Sequence, residues 1–262
     1  MPKPSVAVAI PAHNEAEAIG EFIREIDGAL GPCTSSLTFV VVDDVSTDDT
    51  AGVAANVGET LGSEVVVVRA EVNRGHGPTV LAAYRAALDT GADLVLQVDG
   101  DGQFLGGDLR RIMVLLEDGA DSVGGVRRFR YDPWFRMVMT RLVRVYLSIG
   151  FGVPTRDANC PLRGYRAEHL DQLLEWVPQD ALVPNLYLTI LSARRGLTMV
   201  EVDVNHRVRR GASTTGTMWT GRRRAPVPGR LIAFAGKALV ESIGFHREVN
   251  SGRRPAVSAG RR

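Results

Sequence analysis

The stretch Leu94-Val95-Leu96-Gln97-Val98-Asp99-Gly100-Asp101-Gly102-Gln103 carries the clearest chemistry in this chain of 262 residues. A strand-length apolar run ends in two carboxylates on either side of a glycine, and an amide follows two residues later. Carboxylates that leave a buried strand together repel one another unless a cation lies between them. Asp99, Asp101 and Gln103 are hard oxygen donors, which suit Mg²⁺ or Mn²⁺ better than zinc. A divalent ion at a strand's C-terminal edge commonly clamps phosphate oxygens, so the segment points to a diphosphate-bearing substrate.

Two further segments have the composition of a nucleotide site. Val40-Val41-Val42-Asp43-Asp44-Val45-Ser46-Thr47-Asp48-Asp49-Thr50 joins a buried strand to a polar turn. Helix capping by Ser46, Thr47 or Asp48 explains the turn, but it does not require both Asp43 and Asp44. A carboxylate at a strand end accepts the imide N–H of uracil or an amino group of guanine, which makes Asp44 a candidate reader of the base. Asn73-Arg74-Gly75-His76-Gly77-Pro78-Thr79 is superficially a dinucleotide fingerprint. It fails as one, because Val80 occupies the third glycine position and no acidic residue follows in the usual place. A plain loop with glycine-permitted dihedrals and a backbone cradle near the nucleotide both remain open for Arg74 and Gly75.

These segments need elements to bring them together. Short apolar runs predict strands over Ser5–Ile10, Leu37–Val42, Glu64–Arg69, Asp93–Val98, Ser122–Val126 and Met199–Val204. Helical spacing predicts helices over Glu15–Leu30, from the Ser46–Asp48 turn through Leu61, Thr79–Thr90 and Asp108–Glu117. The alternation argues for an α/β fold with a Rossmann-like, mainly parallel sheet and helices on both faces. In such sheets ligands bind beyond the strands' carboxyl ends. Pro11-Ala12-His13-Asn14-Glu15, Asp43-Asp44 and Asp99-Gly100-Asp101 all fall at such ends and should converge. Beyond Val126 the pattern changes to Arg-rich helices. One domain over 1–250 is expected, with a nucleotide and metal half (1–120) and an acceptor half (121–250). The Arg, Gly, Pro and Ser-rich tail over 251–262 reads as disordered.

Charge divides in the same way. Residues 1–120 hold 7 Lys and Arg against 19 Asp and Glu, a net of −12, whereas 121–262 hold 24 against 11, a net of +13. An acidic half suited to a metal is joined to a basic half suited to an anion. Aromatics are not interleaved with the arginines as in nucleic-acid binders, so no nucleic-acid partner is expected. Cys33 and Cys160 form neither a metal-ligand spacing nor a disulfide framework, which fits a reducing compartment. Met1–Ser5 leads straight into a strand, without a signal peptide. The most apolar stretches, Trp134–Val153 and Leu231–Phe245, are interrupted by Arg136, Arg141 and Arg144, and by Lys237 and Glu241. A cytoplasmic protein is expected, with at most a peripheral membrane contact.

Ile10-Pro11-Ala12-His13-Asn14-Glu15, Val42-Asp43-Asp44-Val45-Ser46, Arg74-Gly75-His76-Gly77 and Asp99-Gly100-Asp101-Gly102-Gln103, in this order and spacing, resemble family 2 glycosyltransferases. Within them the resemblance is to the dolichol-phosphate mannose synthase-like, polyprenyl-phosphate sugar synthase branch, over about Val6 to Ser213. It implies a GT-A fold, a nucleotide-diphosphate sugar donor linked to UDP or GDP, a divalent cation and inversion at the anomeric carbon. By position it places Pro11, His13 and Glu15 beside the nucleoside, Asp44 on the base, and Asp99, Asp101 and Gln103 on metal and diphosphate.

The second half bears on the acceptor. Arg127 closes a strand, and Arg136 and Thr140 lie one helical turn apart with Arg144 a turn further. In the lipid-phosphate branch, arginines and a hydroxyl at matching positions bind the acceptor phosphate, a task for which the guanidinium fork is suited. A plainer reading packs an apolar stripe, Phe135, Val138, Met139 and Leu142, on the core and leaves the arginines solvated. Asp157, in Asp157-Ala158-Asn159-Cys160-Pro161-Leu162-Arg163-Gly164-Tyr165, matches an acid that serves as general base in relatives acting on hydroxyls. A phosphate acceptor is already ionised, so Asp157 would instead orient the sugar or pair with an arginine. An alternative activity therefore keeps the donor chemistry but uses a soluble hydroxyl acceptor, with Asp157 as base. Val202 to Ser213 resembles a late loop that closes over the donor diphosphate. There Val208 stands where an arginine is expected, so Arg207 or Arg209 must substitute; His206 is either packed or a ligand.

Overall fold

The computed structural model describes residues 2–128, 134–209 and 229–251. The first half alternates as expected: β1 (Ser5–Ala12), α1 (Ala16–Leu30), β2 (Ser36–Asp43), α2 (Thr50–Gly58), β3 (Glu64–Arg69), α3 (His76–Leu88), β4 (Leu94–Gln97) and α4 (Gly106–Glu117). The second half adds β5 (Ser122–Arg127), α5 (Trp134–Phe151), β6 (Arg163–Arg166), α6 (Ala167–Leu174), α7 (Pro184–Arg194), β7 (Met199–Val204) and α8 (Gly229–Asn250). Seven strands form one sheet in the order β3-β2-β1-β4-β6-β5-β7. Neighbours are parallel except β6, which runs antiparallel to β4 and β5.

Strand alternation divides the core into two layers. Val6, Val8 and Ile10 of β1 face one way, onto Ile19, Phe22, Ile23 and Ile26 of α1. Ala7 and Ala9 face the other way, onto Leu81 and Tyr84 of α3, Tyr187 and Leu188 of α7, and Phe245 of α8. Period 2 in the strand thus meets a helical stripe on each face, and burial of each large side chain contributes roughly 1.5–3 kcal/mol.

The sequence did not reveal β6. Four residues that begin and end in arginine, with a glycine inside, carry no alternating apolar signal. Tertiary context supplies what composition lacks. Arg163 is buried, and its guanidinium donates to Cys160 O at 2.9 Å, to Thr189 Oγ1 at 2.8 Å and to Ala158 O. A Cβ on Gly164 would lie 2.5 Å from Ile112 Cγ2, so glycine lets α4 close on the strand. Helix α7 gave no helical period either, because Pro184 through Ser192 are all buried.

Helix α5 departs from part of the plainer sequence reading: Arg141 and Arg144 are exposed as that reading has it and Met139 is half-buried, the Phe135 side chain lies outside the described residues, and two of the stripe differ. Val138 and Leu142, expected on the core, are exposed to 43% and 57%, together with Val145 and Ile149. Leu147, on the opposite side of the helix, is buried, and Val143, Tyr146 and Phe151 pack partly beside it. A helix joined to the sheet through a narrow seam leaves its second apolar stripe in solvent. The tail over 252–262 lies outside the described residues.

Gly77 sets the approach of α3. A Cβ there would fall 2.1 Å from Ala181 O and 2.8 Å from Leu182 O, both backbone atoms that cannot rotate away. Gly77→Ala should therefore cost about 1–3 kcal/mol by overpacking, seen as a lower urea midpoint with an unchanged slope. Gly107→Ala, whose Cβ meets nothing within 4 Å on α4, should leave the midpoint equal or higher.

Candidate active site

The parallel strands β1, β2 and β4 end on one edge, and their loops build the candidate site. At the β1–β2 end the backbone takes left-handed values at two non-glycine residues, Asn14 (φ 57°) and Val45 (φ 58°). Side chains hold this conformation. Asn14 N donates to Ser46 Oγ at 2.9 Å, and Asn14 Oδ1 accepts from Thr47 N at 2.7 Å and Thr47 Oγ1 at 3.1 Å. Asp43 is buried and accepts from Ser46 N at 3.1 Å and from the Ser46 hydroxyl. Ser46 and Thr47 thus lock two strand ends together instead of capping a helix. Asp48 accepts from Thr50 N at 3.1 Å and from Ala16 N at 3.2 Å, at the starts of α2 and α1.

Asp44 carries the Arg74–Gly75 loop. One carboxylate oxygen accepts from Arg74 N and the other from Gly75 N, each at 3.0 Å, while its carbonyl accepts from Asn73 Nδ2 at 3.0 Å. Gly75 has φ 85°, a value that suits glycine, so the segment is a shaped loop held by a carboxylate. The Asp44 carbonyl also accepts from His13 Nδ1 at 2.9 Å. A carbonyl only accepts, so Nδ1 carries the proton and Nε2 accepts from Asn14 Nδ2 at 3.2 Å. Pro11 lies within β1 beside Val42.

At the β4 end three acids crowd together. Burial, then the neighbouring Asp99 charge, pushes the Asp101 carboxyl up to about 6, against the pull of the Gln103 N–H, Arg209 and His76. Burial also pushes Glu15 up to about 7, although Arg209 donates to it; Asp101 and Asp99 add to the rise. Asp99 Oδ1 accepts from Gln97 Nε2 at 3.2 Å and lies 3.9 Å from His76 Nε2. Two like charges that resist joint ionisation at the mouth of a strand fit a hard divalent ion. Mg²⁺-type sites are often built from one or two carboxylates completed by water and substrate phosphates. Among the described residues no group of three His, Cys, Asp or Glu side chains could hold a metal by itself, so phosphate or amide oxygens would complete the shell.

Gln103, expected beside the ion, is also a tether. Its backbone N donates to Asp101 Oδ1 at 3.0 Å, its carbonyl accepts from Arg207 N at 2.9 Å, and its Nε2 donates to Arg207 O at 3.4 Å. Arg207 is committed to the same strap, donating to Gly102 O at 2.6 Å and to Glu25 Oε2 at 2.7 Å. His206 packs edge-on against Phe104 at 5.4 Å. Arg209 instead reaches Glu15 in the acid cluster.

On the other side of the site, Arg127 and Asp157 meet each other. The guanidinium donates through Nε at 2.8 Å and Nη2 at 3.0 Å to the two carboxylate oxygens, and both side chains are buried. This pair fastens β5 to the loop before β6. Burial pushes the Cys160 thiol beside it up to about 12, which removes any thiolate chemistry. Thr140 and Arg144 lie on α5, half-buried and exposed respectively, and the Arg136 side chain lies outside the described residues. Sequence reading passed over Asn14, Glu25 and Gln97. An asparagine beside a strand end and a glutamine two residues before the acids were the available signals.

Comparison with known proteins places this architecture. A family model described as Glycosyl transferase family 2 matches residues 7–174. The chain is 31% identical over 201 residues to the undecaprenyl-phosphate 4-deoxy-4-formamido-L-arabinose transferase of Enterobacter sp. (strain 638), covering 77% of this chain and 59% of that protein. It is 30% identical over 205 residues to the enzyme of the same name from Serratia proteamaculans (strain 568), covering 78% and 60%. The chain thus spans about three-fifths of the length of these relatives. Among solved structures, glucosyl-3-phosphoglycerate synthase from Mycobacterium tuberculosis, in complex with Mn²⁺, UDP and phosphoglyceric acid, superposes with a TM-score of 0.64 at 19% identity over 93% of this chain and 78% of its own. Mannosyl-3-phosphoglycerate synthase from Rubrobacter xylanophilus gives 0.65 at 20% over 99% and 79%. The likeness to both is one of fold, the α/β GT-A architecture. Taken with the family model, which runs from β1 through α6 and takes in the three strand-end loops, these matches lead to one conclusion: the chain belongs to glycosyl transferase family 2.

Proposed function

We propose that the chain is a metal-dependent, inverting glycosyltransferase that moves a sugar from a UDP- or GDP-linked donor to a polyprenyl phosphate. The observation that carries this reading is the Asp99–Asp101 pair at the end of β4, whose mutual repulsion a divalent ion would relieve. Mg²⁺ or Mn²⁺ there, with Gln103 the adjacent oxygen donor, would supply charge neutralisation to the departing diphosphate. Pro11, His13, Glu15, Asp44, Arg74 and Gly75 border the nucleoside. Since both Asp44 oxygens hold backbone N–H groups, Asp44 shapes this pocket at least as much as it reads a base. Arg209, already at the acid cluster, is better placed than Arg207 to meet the donor phosphates. An acceptor phosphate oxygen attacks the anomeric carbon, the bond to the diphosphate breaks, and the nucleoside diphosphate leaves with configuration inverted. The acceptor oxygen is ionised at neutral pH, so no base is needed.

The similarity to undecaprenyl-phosphate transferases supports the lipid acceptor, and α5 supplies a physical reason. Arg136, Thr140 and Arg144, at one-turn spacing along the helix, are the group types that bind a phosphate, with Arg127 at the end of β5 a further candidate. Val138, Leu142, Val145 and Ile149 recur along the exposed side of the helix, and Leu239, Val240 and Ile243 are exposed on α8. No helix among the described residues is long and apolar enough to cross a membrane, so contact with lipid through these helices would be peripheral. The alternative, a hydroxyl acceptor with Asp157 as base, must first free that carboxylate from Arg127.

Incubation with radiolabelled UDP- and GDP-sugars and Mn²⁺, with and without polyprenyl phosphate, tests the reading. Organic-extractable, acid-labile label is expected; a product that stays aqueous in the presence of lipid would transfer the assignment to the alternative. Asp101→Ala should lower kcat/KM by at least about 10³-fold, while circular dichroism and melting temperature stay at or above wild type.

The raised carboxyls also give a pH signature. A raised folded pKa contributes stability that is fully present below the unfolded value, near 3.8 for Asp101 and 4.5 for Glu15, and is lost as pH rises through about 6 and about 7. The metal-free protein should therefore gain melting temperature on going from pH 7.5 to 5.5, relative to Asp101→Asn. Stabilisation by Mn²⁺ should be larger at pH 7.5 than at 5.5, and an equal shift at both would contradict the assignment.

A further inference from the structure

Gln97 is fully buried at the end of β4, yet it is an amide among apolar neighbours. Along the strand Leu96 and Val98 enter the layer facing α1 and α4, while Val95 enters the opposite layer with Tyr84 and Tyr165. Alternation sends the Gln97 side chain into that second layer, where two polar groups wait for it. Asn185, in the first turn of α7, donates through Nδ2 to Gln97 Oε1 at 3.2 Å. Tyr84 of α3 donates to Asn185 Oδ1 at 3.1 Å, and its hydroxyl lies 3.4 Å from Gln97 Oε1. The ring of Tyr84 is itself fixed edge-on against Tyr165 at 5.8 Å.

The arrangement has a direction. With Oε1 turned towards the donors, Nε2 points the other way, to Asp99 Oδ1 at 3.2 Å. A flipped amide would set carbonyl oxygen against carboxylate and amide N–H against amide N–H. Buried polar groups persist where every member is satisfied, and here the last member of the chain is the carboxylate at the mouth of the site. His76 approaches the same oxygen, at 3.9 Å. Among the described residues both partners address Oδ1, which leaves Oδ2 as the oxygen offered to a ligand.

We infer that Gln97, oriented by Asn185 and Tyr84, is a positioning residue that fixes the Asp99 carboxylate for the divalent ion. The inference rests on the metal assignment proposed above, and it extends the site from the strand-end loops into the core on α3 and α7. Partners that orient a ligating carboxylate typically change metal affinity 10- to 100-fold when lost.

Free Mn²⁺ counted by electron paramagnetic resonance, in the presence of UDP, measures this without turnover. Gln97→Met keeps the volume and removes both polar ends. Gln97→Asn keeps an amide for Asn185 but is one methylene too short for Asp99. Both should weaken Mn²⁺ binding by about 10- to 100-fold, with UDP affinity in the absence of metal unchanged. If Gln97→Met does not fold, the asparagine variant carries the test. Mn²⁺ binding within twofold of wild type in the folded variant, alongside loss of binding in Asp101→Ala, would overturn the role of Gln97 and leave the proposed function intact. A wild-type chain that takes up no more Mn²⁺ than Asp101→Ala would remove both.

Discussion

Repulsion among Glu15, Asp99 and Asp101 is the constraint around which the molecule is arranged. Parallel strands deliver their C-terminal loops to one edge, so the acids that end β1 and β4 are forced together by topology. Water would screen them in an open loop, but here burial raises two of the three carboxyl groups towards neutrality. A fixed cation answers part of the charge. Arg209 arrives on the segment after β7, from the basic half of the chain, and pairs with Glu15. Arg207, on the same segment, pairs with Glu25, so two arginines of the basic half meet acids of the acidic half.

The loops around this cluster are held by side chains rather than by regular hydrogen-bond ladders. Asp43, Asp44, Asp48, Asn14 and Ser46 together hold backbone N–H groups of five other residues, and two non-glycine loop residues, Asn14 and Val45, keep positive φ values. Carboxylates used in this way cost the site flexibility and return preorganisation: the edge is shaped before any ligand arrives. The same economy governs the acceptor side. Arg127 and Asp157, each chemically suited to a reacting group, hold each other in a bidentate pair that ties β5 to the loop preceding β6. Removing either would strand a buried charge, so the pair behaves as framework.

Helices α5 and α8 show a different balance. Among the described residues α5 buries Leu147 and packs Val143, Tyr146 and Phe151 partly on the core, α8 buries Ser242 and Phe245 and packs Val249 partly, and the two helices brace one another through Tyr146 Oη donating to Ser242 O at 3.1 Å and His246 set edge-on to Phe151. Val138, Leu142, Val145 and Ile149 of α5 and Leu239, Val240 and Ile243 of α8 are exposed. A stripe of valine, leucine and isoleucine in water contributes nothing to folding, and such exposed apolar stripes commonly mark interaction surfaces.

The residues by themselves determined the β-α alternation of the first half, the convergence of three strand-end loops, and the paired acids of β4. Short apolar runs and helical spacing are local signals, and a carboxylate pair after an apolar run is visible without coordinates. Where burial is complete or the signal is polar, the pattern vanishes, which is why β6 with its satisfied Arg163, the wholly buried α7 and the amide of Gln97 had to await the fold. Tertiary structure also supplied the partners that residue type leaves open. It gave Asp44 to a loop, Asp157 to Arg127, Arg207 to a strap and Arg209 to the acid cluster, because partner choice for a charged side chain depends on distances across the sheet that no spacing along the chain encodes.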